Sequence, residues 1–291
     1  MLLAGVFFGG LAVSIRAASA EVHPFEIVFF RNFVGFVFLL PWFWRRGFHR
    51  LRTRHMGLHG SRAAVGLGSM FLWFTAMSLM PLAEATALGF TAPLFAAVGA
   101  ALFLGEVVRL RRWTAILVGF AGTLIVLRPG AGVISGPAML VLGGAVLVAT
   151  SALLTKVLVR TDEPDTIVFY LNALTTPFSF VFALFVWKWP ATTGLIWLIA
   201  VGVTAALGHL AYTRAYAAAD MSAVIPYDFS RLVFTAIFAF ALFGQVPDIW
   251  TWIGGGVIFL SVVYIARRES MAAKREASAA PAPPPITGDM S

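Results

Sequence analysis

Arg31, Arg214, Asp228 and Arg231 are ionisable residues inside otherwise apolar stretches of this chain. A charge at the centre of a membrane helix costs about 2.5–3.5 kcal/mol on insertion scales, so such a group usually faces protein or a water-filled cavity. Asp228 and Arg231 are three residues apart, a spacing that pairs side chains along one helix face. That pair fits two roles, a self-neutralising lock on its helix or a charged patch in a cavity wall. Arg31 and Arg214 lack a local partner, although Arg214, close to a helix end, has the length to snorkel. Two polar stripes follow helical i, i+3, i+4, i+7 spacing: Asn172, Thr175, Thr176, Ser179 and His209, Tyr212, Thr213, Tyr216. Each suits a cavity wall or hydrogen bonding between helices, the latter worth only about 0.6 kcal/mol per bond on average. Trp73 lies in mid-span, away from the interfacial belts where Trp gathers, and serves as cavity wall or as packing. Pro93 and Pro226 interrupt apolar runs, where a kink is either static or a gate.

Several chemistries are excluded. There is no cysteine, and hence no disulfide or thiolate ligand. No Gly-x-x-x-x-Gly-Lys-Ser/Thr loop is present, nor a Gly-x-Ser-x-Gly elbow. His55 and His59 are four apart but sit in an Arg-rich loop with no carboxylate nearby in sequence, too few ligands for zinc. The chain is read as a non-enzyme without cofactor or metal.

The elements that position these residues are membrane spans. Sixty per cent of residues are apolar and only 12% charged, about half the charge of a soluble domain. Ten apolar stretches of about 20 residues, the length that crosses a bilayer, are read at 1–19, 24–44, 61–80, 83–104, 110–128, 137–156, 165–187, 192–218, 222–243 and 248–266. Met1 opens directly into the first span, which is kept as a mature helix because no convincing cleavage pattern follows it. The net charge of +8 comes from basic clusters between spans, a topology signal rather than a nucleic-acid footprint. Fifteen of the 21 Lys and Arg fall on one side under strict alternation, which predicts both termini in the cytoplasm. After residue 267 an Ala- and Pro-rich tail, 268–291, reads as disordered.

The spans repeat. Pro24, Ile27, Val28, Phe29 and Asn32 recur 140 residues later as Pro164, Ile167, Val168, Phe169 and Asn172, and Arg16 is matched by Lys156. At a shift of 139, Trp73, Phe90, Phe95, Gly105 and Trp113 meet Tyr212, Phe229, Phe234, Gly244 and Trp252. Each unit, 1–130 and 136–267, therefore holds five spans. Five is odd, so the second copy enters from the opposite face: an all-α membrane protein of two inverted five-helix repeats. Asn32 and Asn172 then approach the midplane from opposite sides. Where the doublet disagrees, Arg31 against Leu171, substrate choice is expected.

On these residues the chain resembles the drug/metabolite transporter superfamily, in its ten-helix EamA-type members, to about residue 267. The carriers are Phe29-Phe30-Arg31-Asn32 after Pro24, Thr91-Ala92-Pro93-Leu94-Phe95 leading to Leu104-Gly105-Glu106, Trp113, and Gly119 through Val126-Leu127-Arg128-Pro129. The second copy departs at Gln245, in place of Glu106, and at Leu232, in place of Pro93. The resemblance implies alternating access, with helices one to four and six to nine around a central cavity and the fifth and tenth peripheral. The aromatic-rich spans look most like aromatic amino-acid exporters of the YddG type.

The expectation is an inner-membrane exporter of amino acids or related metabolites. Its substrate-binding set is Arg31, Asn32, Trp73, Asn172, Tyr212, Tyr227, Asp228 and Arg231, with Pro93 and Pro226 gating. Arg31 and Arg231 would attract a carboxylate, Asn32 and Asn172 orient it, and Trp73 and Tyr212 flank the side chain. Glu84 and Asp228 are the acids placed to relay protons. The alternative is uptake or exchange of another solute, such as a nucleotide-sugar, polyamine or toxic cation. A non-transporting membrane protein is the remaining class. The partners are a small-molecule substrate and the lipid bilayer, not nucleic acid.

Overall fold

A computed structural model describes residues 1–79, 88–127, 136–244 and 249–279. Among these the chain is all-helical, with ten helices of twelve residues or more: α1 (Leu2–Ala18), α2 (Pro24–Arg46), α3 (Met56–Leu79), α4 (Ala92–Phe103), α5 (Leu110–Leu127), α6 (Gly136–Leu158), α7 (Pro164–Leu184), α8 (Thr192–Ala218), α9 (Ser230–Phe243) and α10 (Ile249–Ala279). Five segments are long and apolar enough to cross a membrane: Pro24–Arg45, Gly136–Leu158, Pro164–Leu184, Thr192–Ala218 and the run Met221–Phe243 that ends in α9. Leu2–Ala18, Ala92–Phe103 and Ile249–Tyr264 are apolar but shorter.

The starts of α2 and α7 carry the repeated proline at the first helical position, where its missing N–H has no intrahelical partner to lose. His23 and Glu26 close the first turn of α2: His23 Nδ1 accepts from Phe25 N–H, and Glu26 Oε2 accepts from His23 N–H. Gly105 and Gly244, the 139-shift twins, both take positive φ, 66° and 62°, a left-handed conformation that glycine adopts without steric cost.

Helix pairing is reciprocal between the two halves. α1 packs on α8 and α9, as α6 packs on α3 and α4; α2 packs on α8, as α7 packs on α3. The remaining large contacts join the equivalents themselves, α2 with α7 and α5 with α10. The second of these depends on small residues: a Cβ at Gly122 would stand 2.9 Å from the carbonyl oxygen of Gly254 and 2.8 Å from Ile258 Cγ1.

Two expectations change. α10 continues through Ala279, twelve residues into the segment read as a disordered tail; residues 280–291 lie outside the described ones. An Ala-rich run is a good helix former and needs no buried face when it extends an existing helix. The fourth apolar stretch is interrupted rather than continuous, with a turn at Phe90–Thr91 before α4 begins, so Pro93 occupies the first turn of a helix instead of kinking its middle. Glu84, Arg128 and Gln245 fall outside the described residues.

The end of the bundle that carries most Arg and Lys, here the basic end, is tied by polar contacts. His55 and His59 do have a carboxylate nearby, delivered by tertiary structure: Asp162, between α6 and α7, lies 2.7 Å from His59 Nε2 and accepts from Thr53 Oγ1 at 2.6 Å. Burial works to raise the Asp162 pKa, but hydrogen bonds from Thr53 and His59 outweigh it and hold the carboxyl below the usual carboxylate value of 3.8. A depressed native pKa stabilises the fold above the unfolded value and loses that contribution as pH falls through the native one. Thermal unfolding of detergent-solubilised protein should therefore be insensitive to this group above about pH 5 and weaken below it. Asp162→Asn should remove that acid limb and lower Tm at neutral pH.

Candidate transport site

α1, α3, α4, α6, α8 and α9 enclose a cavity of about 460 Å³, within the usual range of about 300–1,000 Å³ for small-molecule sites. Its walls are mostly apolar and aromatic. Phe8 comes from α1, Trp73 from α3, Phe90 from the turn before α4, and Tyr212 and Tyr216 from one face of α8. The small stripe Gly144, Ala145, Ala149 and Ala152 of α6 leaves the space open. Phe90 stacks on Phe229 at 6.1 Å between centroids, and Tyr212 lies against Tyr216 at 4.4 Å. Trp73 sits over Gly89, where a Cβ would come within 2.6 Å of the indole.

One charged patch enters this aromatic wall. Asp228 and Arg231 both line the cavity, with Arg231 Nη1 4.0 Å from Asp228 Oδ2 and the Arg231 guanidinium 4.6 Å above the Phe90 ring. The pair is loose and partly exposed, so both groups keep hydrogen-bonding capacity for a ligand. Cation–π contact orients the arginine.

Both helices at this patch begin after an irregular stretch, and the two stretches share one hydroxyl tether. Before α9, a single helical turn (Met221–Val224) passes into 3₁₀ geometry over Ile225–Phe229. Pro226, buried in this segment, explains the change, since its ring removes a helical donor. Ser230 Oγ then donates to the Tyr227 carbonyl at 2.6 Å, and before α4 Thr91 Oγ1 donates to the Leu88 carbonyl, also at 2.6 Å. Thr91 and Ser230, like Leu88 and Tyr227, are 139-shift partners. Interrupted helices of this kind are tolerated in membranes where they line a cavity.

Below the cavity, towards the basic end, Tyr216, Ile225, Phe229, Ala152 and Ile116 form a buried apolar cluster. A polar knot follows. Glu106 accepts from the N–H groups of Met221 and Ser222 at 2.9 Å each and from Ser222 Oγ at 2.8 Å. Arg112 donates to Ser222 Oγ at 2.8 Å and reaches Asp220 at 3.3 Å; Lys156 donates to the carbonyls of Tyr216 and Ala219. Gly105 supplies the turn that aims Glu106 at this site.

Of the residues expected to bind substrate, Trp73, Tyr212, Asp228 and Arg231 line the cavity, as does Pro93. Tyr227 and Pro226 lie in the adjoining break but are not among the lining residues. Arg31, Asn32 and Asn172 are elsewhere. Arg31 donates to Asn32 Oδ1 at 2.9 Å and lies 2.8 Å from His209 Nε2; Asn32 Nδ2 reaches Ser179 Oγ at 3.4 Å. Asn172 donates to the Val168 carbonyl of its own helix, and Thr175, Thr176 and Ser179 likewise turn back on preceding carbonyls. The groups of this stripe donate within α7, and Ser179 also accepts from Asn32 of α2. Arg214 pairs with Asp165 at 2.7 Å, outside the cavity. The residues that sequence reasoning missed are Phe8, Phe90 and the α6 small-residue stripe. The 139-shift pairing of Phe90 with Phe229 was their one visible signal.

The profile of the EamA-like transporter family matches residues 1–128 and again 136–267. The chain belongs to the EamA-like transporter family. A riboflavin transporter of Vibrio cholerae is 34% identical over 95% of this EamA-like chain and 94% of its own. An S-adenosylmethionine uptake transporter of Rickettsia bellii is 29% identical over 91% of each chain. A crystal structure of 19% sequence identity superposes with a TM-score of 0.80 over 94% of this chain and 96% of the other, which shows the shared fold. These relatives do not support the expectation of aromatic amino-acid export: their names give riboflavin and S-adenosylmethionine, and they favour the alternative of a carrier for another solute.

Proposed function

We propose that this membrane carrier takes up a planar heteroaromatic solute of the riboflavin class by alternating access through the central cavity. The observation that carries the reading is an aromatic-walled cavity with a single Asp228–Arg231 patch. The ring edge of a flavin presents two carbonyl acceptors around one N–H donor. Arg231 can donate to such a carbonyl while Asp228 accepts the N–H, and Trp73, Tyr212 and Phe90 offer ring faces for stacking. The relatives named for riboflavin support this choice. The expected set keeps Trp73, Tyr212, Asp228 and Arg231 as ligand contacts, and assigns Arg31, Asn32 and Asn172 to holding α2, α7 and α8.

The carrier is proposed to sit in the bacterial inner membrane as ten spans in two inverted repeats with both termini cytoplasmic. The sequence periodicity, the reciprocal helix pairing and the twin breaks support that arrangement. The basic end is then cytoplasmic, and the knot at Glu106 closes the cavity on that side. Because the chain has no cysteine, single-cysteine probes report on it cleanly. In an Ala149→Cys background, Glu106→Ala should raise labelling by an impermeant maleimide from the cytoplasmic face severalfold. Unchanged labelling would remove the knot from the gating scheme.

The direct test is uptake of labelled riboflavin by purified protein in liposomes, with S-adenosylmethionine in parallel. Saturable riboflavin flux supports the proposal, and folded protein that moves neither solute contradicts it. The second reading, a cationic nucleoside sulfonium as solute, is favoured by the Asp228 carboxylate. It predicts that removing the Arg231 charge spares or improves transport.

A further inference from the structure

Away from the central cavity, α2 and α8 run in the same direction and leave a second groove of about 360 Å³ near the basic end. The two helices touch closely at Gly202, where a Cβ would fall 2.6 Å from Val34 Cγ1, and the groove lies beyond that contact. Its walls include Phe38 and Trp42 of α2, both about 40% exposed, with Leu207 of α8 opposite. Pro41 also lines it. Its ring lacks the N–H that would have bonded the Val37 carbonyl, which leaves that carbonyl without its helical donor.

The groove is amphipathic along its length. Arg45 and Arg214 line it too, as does Asp165, the charge partner of Arg214 at 2.7 Å. Two guanidiniums against one carboxylate leave a net positive charge, and both arginines are exposed. Arg45 lies one residue from the C-terminus of α2 and Arg214 one turn from that of α8, the depth at which headgroups begin.

We propose that this groove holds one anionic phospholipid, its phosphate on Arg45 and Arg214 and an acyl chain along Phe38, Trp42 and Leu207. A basic pocket between membrane helices suits such a headgroup. A zwitterionic lipid offers the same chains but brings its own ammonium to the arginines and gains less. The assignment rests on the membrane setting and is independent of which solute the central cavity carries.

The test uses full-length protein, delipidated in mild detergent and reloaded with equal phosphatidylglycerol and phosphatidylcholine, with bound lipid counted by native mass spectrometry. Phosphatidylglycerol should be retained preferentially. Arg45→Gln should lower that preference about fivefold, the weight of one basic residue at an anionic headgroup. Leu207→Trp keeps both arginines and the Asp165 pair but fills the groove, and should abolish retention of either lipid. Glycerol phosphate, which has the headgroup anion without chains, should not displace the bound lipid. The proposal is overturned by equal retention of the two lipids, by displacement with glycerol phosphate alone, or by unaltered retention in Leu207→Trp. It is also overturned if Arg52→Gln, an exposed cation outside the groove, lowers the preference as much as Arg45→Gln does.

Discussion

Arg231→Gln should reduce riboflavin uptake by one to two orders of magnitude, while the purified variant keeps its helical content and unfolding temperature within a few degrees. The size follows from a hydrogen bond to a charged donor, about 1.5–3 kcal/mol or roughly 10- to 100-fold. Arg231 is poised for that bond because its guanidinium is held 4.6 Å above Phe90 while its link to Asp228 is long, at 4.0 Å. The loss should appear mainly in KM, since the interaction is made with bound solute. If glutamine transports riboflavin as well as arginine does, the ring edge is not read at this patch. Uptake of a cationic solute measured on the same variant separates the two proposed substrate classes, because that flux should hold or rise.

Gly202→Val should destabilise the protein strongly. α2 and α8 meet where Gly202 faces Val34, and a Cβ there would lie 2.6 Å from Val34 Cγ1 and 3.2 Å from the backbone nitrogen of Gly35. The far side of Gly35 offers no retreat, because it packs on the Asn172 side chain. Overpacking a filled contact costs about 1–3 kcal/mol, occasionally more. With backbone on one side the variant belongs at the upper end. Thermal unfolding in detergent checks this: a fall in Tm or loss of the monodisperse species is expected, and a wild-type Tm would refute the contact. Val34→Gly in the same chain should restore part of the loss.

The physical reasons for what the sequence disclosed are specific. Hydropathy and the 140-residue shift disclosed the helices and the correspondence between the halves, because the helices are apolar and both halves reuse the proline starts and the positive-φ glycines. Four cavity residues, Trp73, Tyr212, Asp228 and Arg231, were legible as groups that a lipid-facing helix would not carry. Arg31 met the same criterion and is answered differently, by Asn32 beside it on α2 and by His209 of α8, since a buried cation can be satisfied by neutral acceptors. Spacing along one helix cannot reveal a partner 178 residues away. The polar stripe of α7 was ambiguous for a related reason: hydroxyls that turn back on their own helix and hydroxyls that face a cavity share one periodicity. Asp162 beside His59 was invisible because it arrives from a different loop.

Substrate choice was expected where Arg31 opposes Leu171. The twin helix breaks move that expectation to a neighbouring asymmetry. Thr91 and Ser230 tether equivalent joints, but Asp228 and Arg231 at the second joint correspond to Gly89 and Ala92 at the first. In the inverted arrangement proposed above, two conformations related by exchanging the joints would be isoenergetic if the repeats were identical. The sequence differences set the remaining gap. A bound solute can shift a population only by the difference in its affinity for the two states. A ligand gripped at one joint and not at its twin supplies such a difference, so the ion pair proposed to recognise the solute would also be the lever by which the solute turns the carrier over.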